Sequence, residues 1–153
     1  VCGGSQNGVE GVASLAFVRS VIVSPDGKHV YAAGFGDNAV TVFSRNSTTG
    51  SLTFEEIHMD GLNGVDGIRG AISVTVSPDG KYVFAAGLDD NAVAVFSRNS
   101  TTGSLKFEEV HKDGVGGVNG LEDANSVTVS PDGNNLYVAG FADNAVVAFD
   151  VRR

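Results

Sequence analysis

Carboxylate and amide side chains recur at fixed intervals along this 153-residue chain. Asp37-Asn38, Asp90-Asn91 and Asp143-Asn144 are spaced 53 residues apart, and the Gly-rich stretches between them carry Asp60, Asp66 and Arg69, then Asp113, Asn119, Glu122 and Asp123. The carboxylates among them carry hard oxygen atoms of the kind calcium accepts, and the thirteen residues together are the ligand-binding candidates. They lack the D-x-D-x-D-G spacing of a calcium loop, and Asp and Asn also make turns, so no metal site is assigned; calcium is the one cofactor their chemistry would suit. His58 and His111 recur in the same register, with Ser5 at the corresponding place in the first copy. Imidazoles gathered around a ring would serve as metal ligands or acid-base groups, but a single solvated His at a strand end is the simpler reading. No Ser-His-Asp or metal-spaced set stands out, and no catalytic residue is assigned.

The recurrence of these groups reflects a recurrence of the whole chain. FSRNSTTGSL occurs at Phe43–Leu52 and again at Phe96–Leu105, and the same offset aligns Ser20–Gly27, Ser73–Gly80 and Ser126–Gly133. The units run 1–19 (partial), 20–72, 73–125 and 126–153 (partial), as a single repeat domain. A period of this size points to stacked supersecondary modules. Within a unit four strands are predicted. The first ends at Ser77-Pro78-Asp79-Gly80, where Pro presets φ and Gly takes the left-handed position. The second, 81–88, ends at the polar corner Asp89-Asp90-Asn91. The third follows from Ala92, and Asn99–Gly103 turns the chain into a fourth that alternates from Leu105. The reading is all-β: propeller blades, each a four-stranded antiparallel repeat. A right-handed β-solenoid is the competing fold, and hairpin turns of the Ser-Pro-Asp-Gly type favour blades. Val74, Val76, Val83, Ala85, Val93 and Val95 are expected to pack between blades.

The run Val76–Gly87 followed by Asp90-Asn91-Ala92-Val93 resembles the lactonase-type YVTN β-propeller repeat over nearly the full chain. The Thr-Asn that gives that repeat its name is replaced by Ala32-Ala33, Ala85-Ala86 and Val138-Ala139. The resemblance implies a propeller and, as one possible activity, hydrolysis of a sugar lactone. It transfers no catalytic residue position by position.

Strand order assigns the faces. Connections from the second strand to the third, and from the fourth to the next first, share one face, and the ligand-binding candidates lie there. The long connection after His58 sets apolar residues every third position, at Leu62, Val65 and Ile68, echoed at Val115, Val118 and Leu121 and at Val9, Val12 and Leu15. These are expected to pack the loop down. The chain is six residues short of three full units, so the third blade is expected to lack its own outer strand, for which Val1–Ser5 is the candidate. Three blades being fewer than a propeller normally has, the ring is expected to be completed by another chain, as a six-bladed homodimer or a filament. The alternative is a portion of a longer array.

Eighteen acidic against ten basic residues give a net charge of −8, which excludes the clustered Lys and Arg of a nucleic-acid partner. No apolar run is long enough for a membrane-spanning helix. A single Cys2 forms no internal disulfide. Asn46 and Asn99 head N-x-[ST] sequons on surface turns, making them glycosylation candidates and suggesting an extracellular or cell-surface setting. Near-identical units suit repeated contacts more than a single asymmetric site. The expected function is therefore a non-catalytic propeller for assembly or recognition, with the lactonase-like hydrolase as the alternative.

Overall fold

The computed structural model describes residues 15–151. Among them are eleven strands and no helix: β1 (Val18–Val23), β2 (His29–Gly34), β3 (Ala39–Arg45), β4 (Leu52–Met59), β5 (Ala71–Val76), β6 (Tyr82–Gly87), β7 (Ala92–Arg98), β8 (Leu105–Lys112), β9 (Ala124–Val129), β10 (Asn135–Gly140) and β11 (Ala145–Asp150). They form antiparallel sheets ordered β1-β2-β3-β4, β5-β6-β7-β8 and β9-β10-β11. These are blades joined by short hairpins, not the coils of a solenoid. Among the described residues the third sheet has three strands. No helix among the described residues is long and apolar enough to cross a membrane. Val1–Ser5, the candidate outer strand, lies outside the described residues.

The turns form for the reasons their residues supply. At Ser-Pro-Asp-Gly, the hydroxyls of Ser24, Ser77 and Ser130 reach the Asp26, Asp79 and Asp132 carboxylates two residues on. Gly27, Gly80 and Gly133 sit at φ 71°, 71° and 73°, where a side chain would be strained. The bend between third and fourth strands is an Asx turn: Asn46 Oδ1 accepts the Thr48 and Thr49 N–H groups, and Asn99 Oδ1 those of Thr101 and Thr102.

A sheet whose two faces are both apolar must be covered on both sides, and the blades cover each other. Tyr31, Ala33, Val40 and Val42 of the first meet Val74, Val83, Ala85 and Phe96 of the second. Phe84, Ala86, Val93 and Val95, from the other face of the second blade, meet Val127, Leu136 and Val138 of the third. The predicted core residues of blade two thus divide between two seams, and Val76 is only half-buried. Among the described residues Val146 is 73% exposed, against 0% for Val40 and Val93 at the same register, which are covered by the following blade. The first strands β1, β5 and β9 lie beside one another, which makes them the innermost of each sheet.

The seam between blades one and two also carries a buried charge. Arg98, with 1% of its side chain accessible, donates from Nη2 to Asp26 Oδ2 at 2.9 Å, from Nη1 to the Gly80 carbonyl at 2.8 Å and from Nε to the Tyr31 hydroxyl at 2.6 Å. The Tyr31 hydroxyl in turn donates a hydrogen bond to the Gly103 carbonyl at 2.8 Å, pinning the outer hairpin of blade two onto blade one. Burial, followed by the guanidinium charge, lowers the pKa of His29, so its Nδ1 accepts from Arg98 as a neutral ring. Burial alone would raise the Asp26 carboxyl. Its bonds from Ser24, Arg98 and the Lys28 N–H outweigh burial and hold it well below the usual carboxylate range.

Two expectations follow. Val93→Ala removes packed methyl groups and is expected to cost about 2 kcal/mol, whereas Val146→Ala at the same register should stay within about 0.5 kcal/mol; urea titration of both variants measures the difference. A depressed carboxyl pKa contributes stability that is full above the unfolded value of about 3.9 and lost as the pH falls through the folded value. Asp26→Asn should therefore lower the melting temperature at pH 7 by about 3–6 °C, allowing for the partial exposure of Asp26. In thermal melts the gap from the parent should close as the pH is lowered below 4, roughly.

Candidate functional site

The face carrying the long connections gathers the candidate residues, and most of their side chains are occupied by backbone. Each second-to-third corner ends in Asn in the left-handed region, with Asn38, Asn91 and Asn144 at φ 54°, 51° and 52°. That conformation turns the first two amides toward the following blade. Asn38 Oδ1 accepts from the Gly70 N–H at 2.7 Å, and Asn91 Oδ1 from the Asp123 N–H at 2.9 Å. The preceding aspartates hold the incoming loop of their own blade: Asp37 accepts from Ala16 N–H, Asp90 from Arg69 N–H and Asp143 from Glu122 N–H. Asp60 accepts from Ile68 N–H, and Asp113 from Gly120 and Leu121 N–H, closing the long loops upon themselves. Arg69, Glu122 and Asp123 thus enter the site through their main chain. Asn119 and Asn144 are exposed at its margin.

The loops are packed down as expected at Val65 (4%), Ile68 (0%) and Leu121 (0%), but Leu62 (53%) and Val115 (60%) point outward. Both sit at the apex of a tight turn, Gly61 N–H bonding the Val65 carbonyl and Gly114 N–H that of Val118, so their side chains overhang the packed part. Val9 and Val12 lie outside the described residues. Gly87 and Gly140 mark where each loop crosses its blade: a Cβ at either would strike the carbonyl oxygen of Gly67 or Gly120.

One place departs from the repeating pattern. Oxygen atoms of Asp60, Asp66 and Asp90 lie within 4.8 Å of one another, and Lys112 Nζ donates to Asp66 Oδ1 at 2.7 Å. In the next unit Asp66 is matched by Asn119, and in the previous one Lys112 is matched by Met59. Burial, opposed by the Ile68 N–H and reinforced by the charges of Asp90 and Asp66, raises the Asp60 pKa. The bond to Asp66 raises that of Lys112 and keeps it an ammonium. The site therefore holds a carboxyl whose pKa is raised, two further carboxyl groups beside it and a cation bonded to one of them. Such unlike groups are what acid-base chemistry needs. Lys112 escaped the sequence reading; the signal available was a charge that is absent from the other copies.

The histidines do not converge. His58 bonds Glu56 at 3.0 Å and sets its ring edge-on to Phe96, while His111 stacks on Phe149 at 4.9 Å. With 18% of its side chain accessible, His58 packs in the blade seam and is not the solvated strand-end residue expected. Asn46 and Asn99 are exposed turn residues.

Comparison with known proteins agrees with this geometry. The fold matches a candidate 6-phosphogluconolactonase of Bacteroides uniformis (TM-score 0.78, 23% identity, 94% of this chain and 38% of that one). It matches a second from Bacteroides fragilis (0.77, 25%, 92% and 36%) and the periplasmic gluconolactonase of Pseudomonas aeruginosa (0.73, 26%, 88% and 36%). The chain thus spans well under half the length of each of these proteins. No curated protein sequence matches it. Residues 8–116, more than half of the chain, match the family described as lactonase, seven-bladed β-propeller. With its antiparallel blades in that order, the chain belongs to the lactonase family of seven-bladed β-propellers.

Proposed function

We propose that the propeller containing these three blades hydrolyses a sugar lactone, with Asp60, Asp66, Asp90 and Lys112 contributing to its site. The family match over residues 8–116 carries this reading and favours it over the non-catalytic binding role that unit-to-unit likeness suggested. In lactone hydrolysis water adds to the acyl carbon, surrendering a proton, and the ring oxygen leaves, gaining one. In this reading Asp90 accepts the first proton, and Asp60, whose pKa is raised by burial, supplies the second. Asp66 and Lys112 offer an acceptor and a donor for the sugar hydroxyls.

Charge narrows the substrate. The face carries Asp60, Asp66, Asp90, Asp113, Glu122 and Asp143 against Arg69 and Lys112, on a chain of net charge −8. A phosphorylated lactone would meet repulsion there, so the neutral lactone is the better substrate.

Acid release followed in a pH-stat tests the assignment. Glucono-lactone should be opened faster than its 6-phosphate. Asp60→Asn or Asp90→Asn should each lower kcat by about 10²-fold or more, with folding checked by circular dichroism. Asp66→Asn, which removes no backbone cap, should act mainly on KM. After subtraction of the spontaneous rate, activity should fall as the pH rises through the raised Asp60 pKa, because the donor is lost. A folded protein that leaves the lactone at its spontaneous rate overturns the reading.

The same three carboxylates are a donor set suited to calcium, but Lys112 already neutralises the most exposed of them. Millimolar calcium is expected to move the melting temperature of the parent by less than about 1 °C, and to raise that of Lys112→Met by several degrees, roughly. A large shift in the parent, abolished by Asp66→Asn, would reverse that order.

A further inference from the structure

The seam between blades one and two buries a titratable ring that the blade itself does not require. His29, 5% exposed, opens β2 and is matched at its register by Tyr82 and Asn135. Its Nδ1 accepts from Arg98 Nη2 at 2.9 Å, and the same guanidinium nitrogen donates to Asp26 Oδ2 at 2.9 Å. Gly103 lies so close over the imidazole that a Cβ there would strike the ring, and the Tyr31 hydroxyl holds the Gly103 carbonyl. Two residues on, the Leu105 N–H crosses to Glu56 Oε1 at 2.7 Å. The hairpin between β7 and β8 thus rests on His29 and is tied to blade one beside it. At the corresponding places the second seam has Tyr82 and Val151, so among the described residues only the first sets an imidazole against a guanidinium.

Proton uptake reverses the polarity of that contact. A protonated imidazole donates from both nitrogens, so its Nδ1–H would face an N–H of Arg98, and two cations would share one buried space. The carboxylate nearest them, Asp26, is already bonded to the guanidinium, the Ser24 hydroxyl and the Lys28 N–H. Lys28 adds a positive charge beside the ring and Glu55 of β4 a negative one, while Arg45 of β3 is turned to the Gly27 carbonyl. The hairpin Asn99–Ser104 carries no charge. Burial, Arg98 and Lys28 oppose the proton and outweigh Asp26 and Glu55, which favour it. We propose that His29 makes this end of the seam an acid-sensitive latch: on taking up a proton the ring parts from Arg98, and the hairpin 99–104 of blade two comes away from blade one. Arg98 keeps Asp26 and the Gly80 carbonyl, so the opening is local and the apolar seam around Val40 and Val83 stays packed.

An ordinary imidazole gains its proton below about pH 6.5 and this buried one only at a lower pH, so the contact contributes fully above about 6.5 and is lost as the pH falls through the folded value. Asp26, held well below the carboxylate range, stays charged while His29 titrates. Amide exchange of the intact chain, followed by NMR and corrected for the intrinsic effect of pH, tests the latch. Protection of the Leu105 amide should fall about tenfold or more between about pH 7.5 and 5, with the same midpoint as the His29 ring resonances. The β2 and β6 amides should stay protected. His29→Asn, the residue the third unit carries at this register, keeps an acceptor for Arg98 and should reduce the change to less than about twofold. His58→Gln, which removes the other imidazole bonded to Glu56, should leave the change in place. Unaltered Leu105 protection in the parent overturns the proposal, as does a midpoint that follows His58, or an undiminished response in His29→Asn. Equal loss of protection across β2 and β6 would assign the response to unfolding of the whole chain and overturn it too. Should His29→Asn be open already at neutral pH, the parent decides alone: a shared midpoint for Leu105 and His29 supports the latch, and separate midpoints overturn it.

Discussion

A blade in this protein cannot be stable alone, because both faces of its sheet are apolar and a single sheet can hide neither. Everything else serves the seam where two blades meet. The hydrophobic part of that seam is non-directional and would tolerate a sliding or rotated neighbour. Direction comes from a few hydrogen bonds that cross it. Asn38 and Asn91 each reach the backbone of the following blade, and Ser20 and Ser73 do the same near the axis, accepting from the Val74 and Val127 N–H groups. Each pair repeats at the period of the sequence, so blade follows blade at a constant rotation.

The same constraint explains why the candidate ligands of the loop face are mostly occupied. A long connection that crosses the end of a blade carries backbone groups that need partners, and leaving them unmade would be costly. Asp37, Asp60, Asp90, Asp113 and Asp143 supply those partners. A carboxylate committed to a main-chain N–H in every unit is architecture first. The repeating pattern breaks at Asp66 and Lys112, whose charges the neighbouring units lack, and the proposed reaction would need such groups.

Symmetry also breaks at the seams themselves. The first is closed by the Arg98 guanidinium, held among Asp26, Tyr31, His29 and the Gly80 carbonyl. A buried cation is tolerable because its donors are matched by acceptors, and removing one acceptor would strand it. The second seam has Val151 at that register and a more apolar wall. Two interfaces built from one repeat thus differ in kind, the first crossed by a buried charge and the second lined by an apolar side chain at that register.

Much of the architecture was legible in the residues alone. The 53-residue period, the Ser-Pro-Asp-Gly and Asn-Ser-Thr-Thr-Gly turns and the β-branched alternation place all eleven strands to within a few residues, because strands and turns are set by local sterics and by side chains bonding their own neighbours. The loop candidates were legible as a set, but their partners were not. Which N–H an Asn or Asp bonds depends on a left-handed corner and on a blade dozens of residues away. The burial of His58 against Phe96, the outward turn of Leu62 and Val115, the Arg98–Asp26 pair 72 residues apart and the meeting of Asp60, Asp66, Asp90 and Lys112 were likewise decided only when one sheet packed on the next. Periodicity specifies what each unit is. The tertiary fold decides which groups of different units share one desolvated space, and hence which side chains cap backbone and which remain for chemistry.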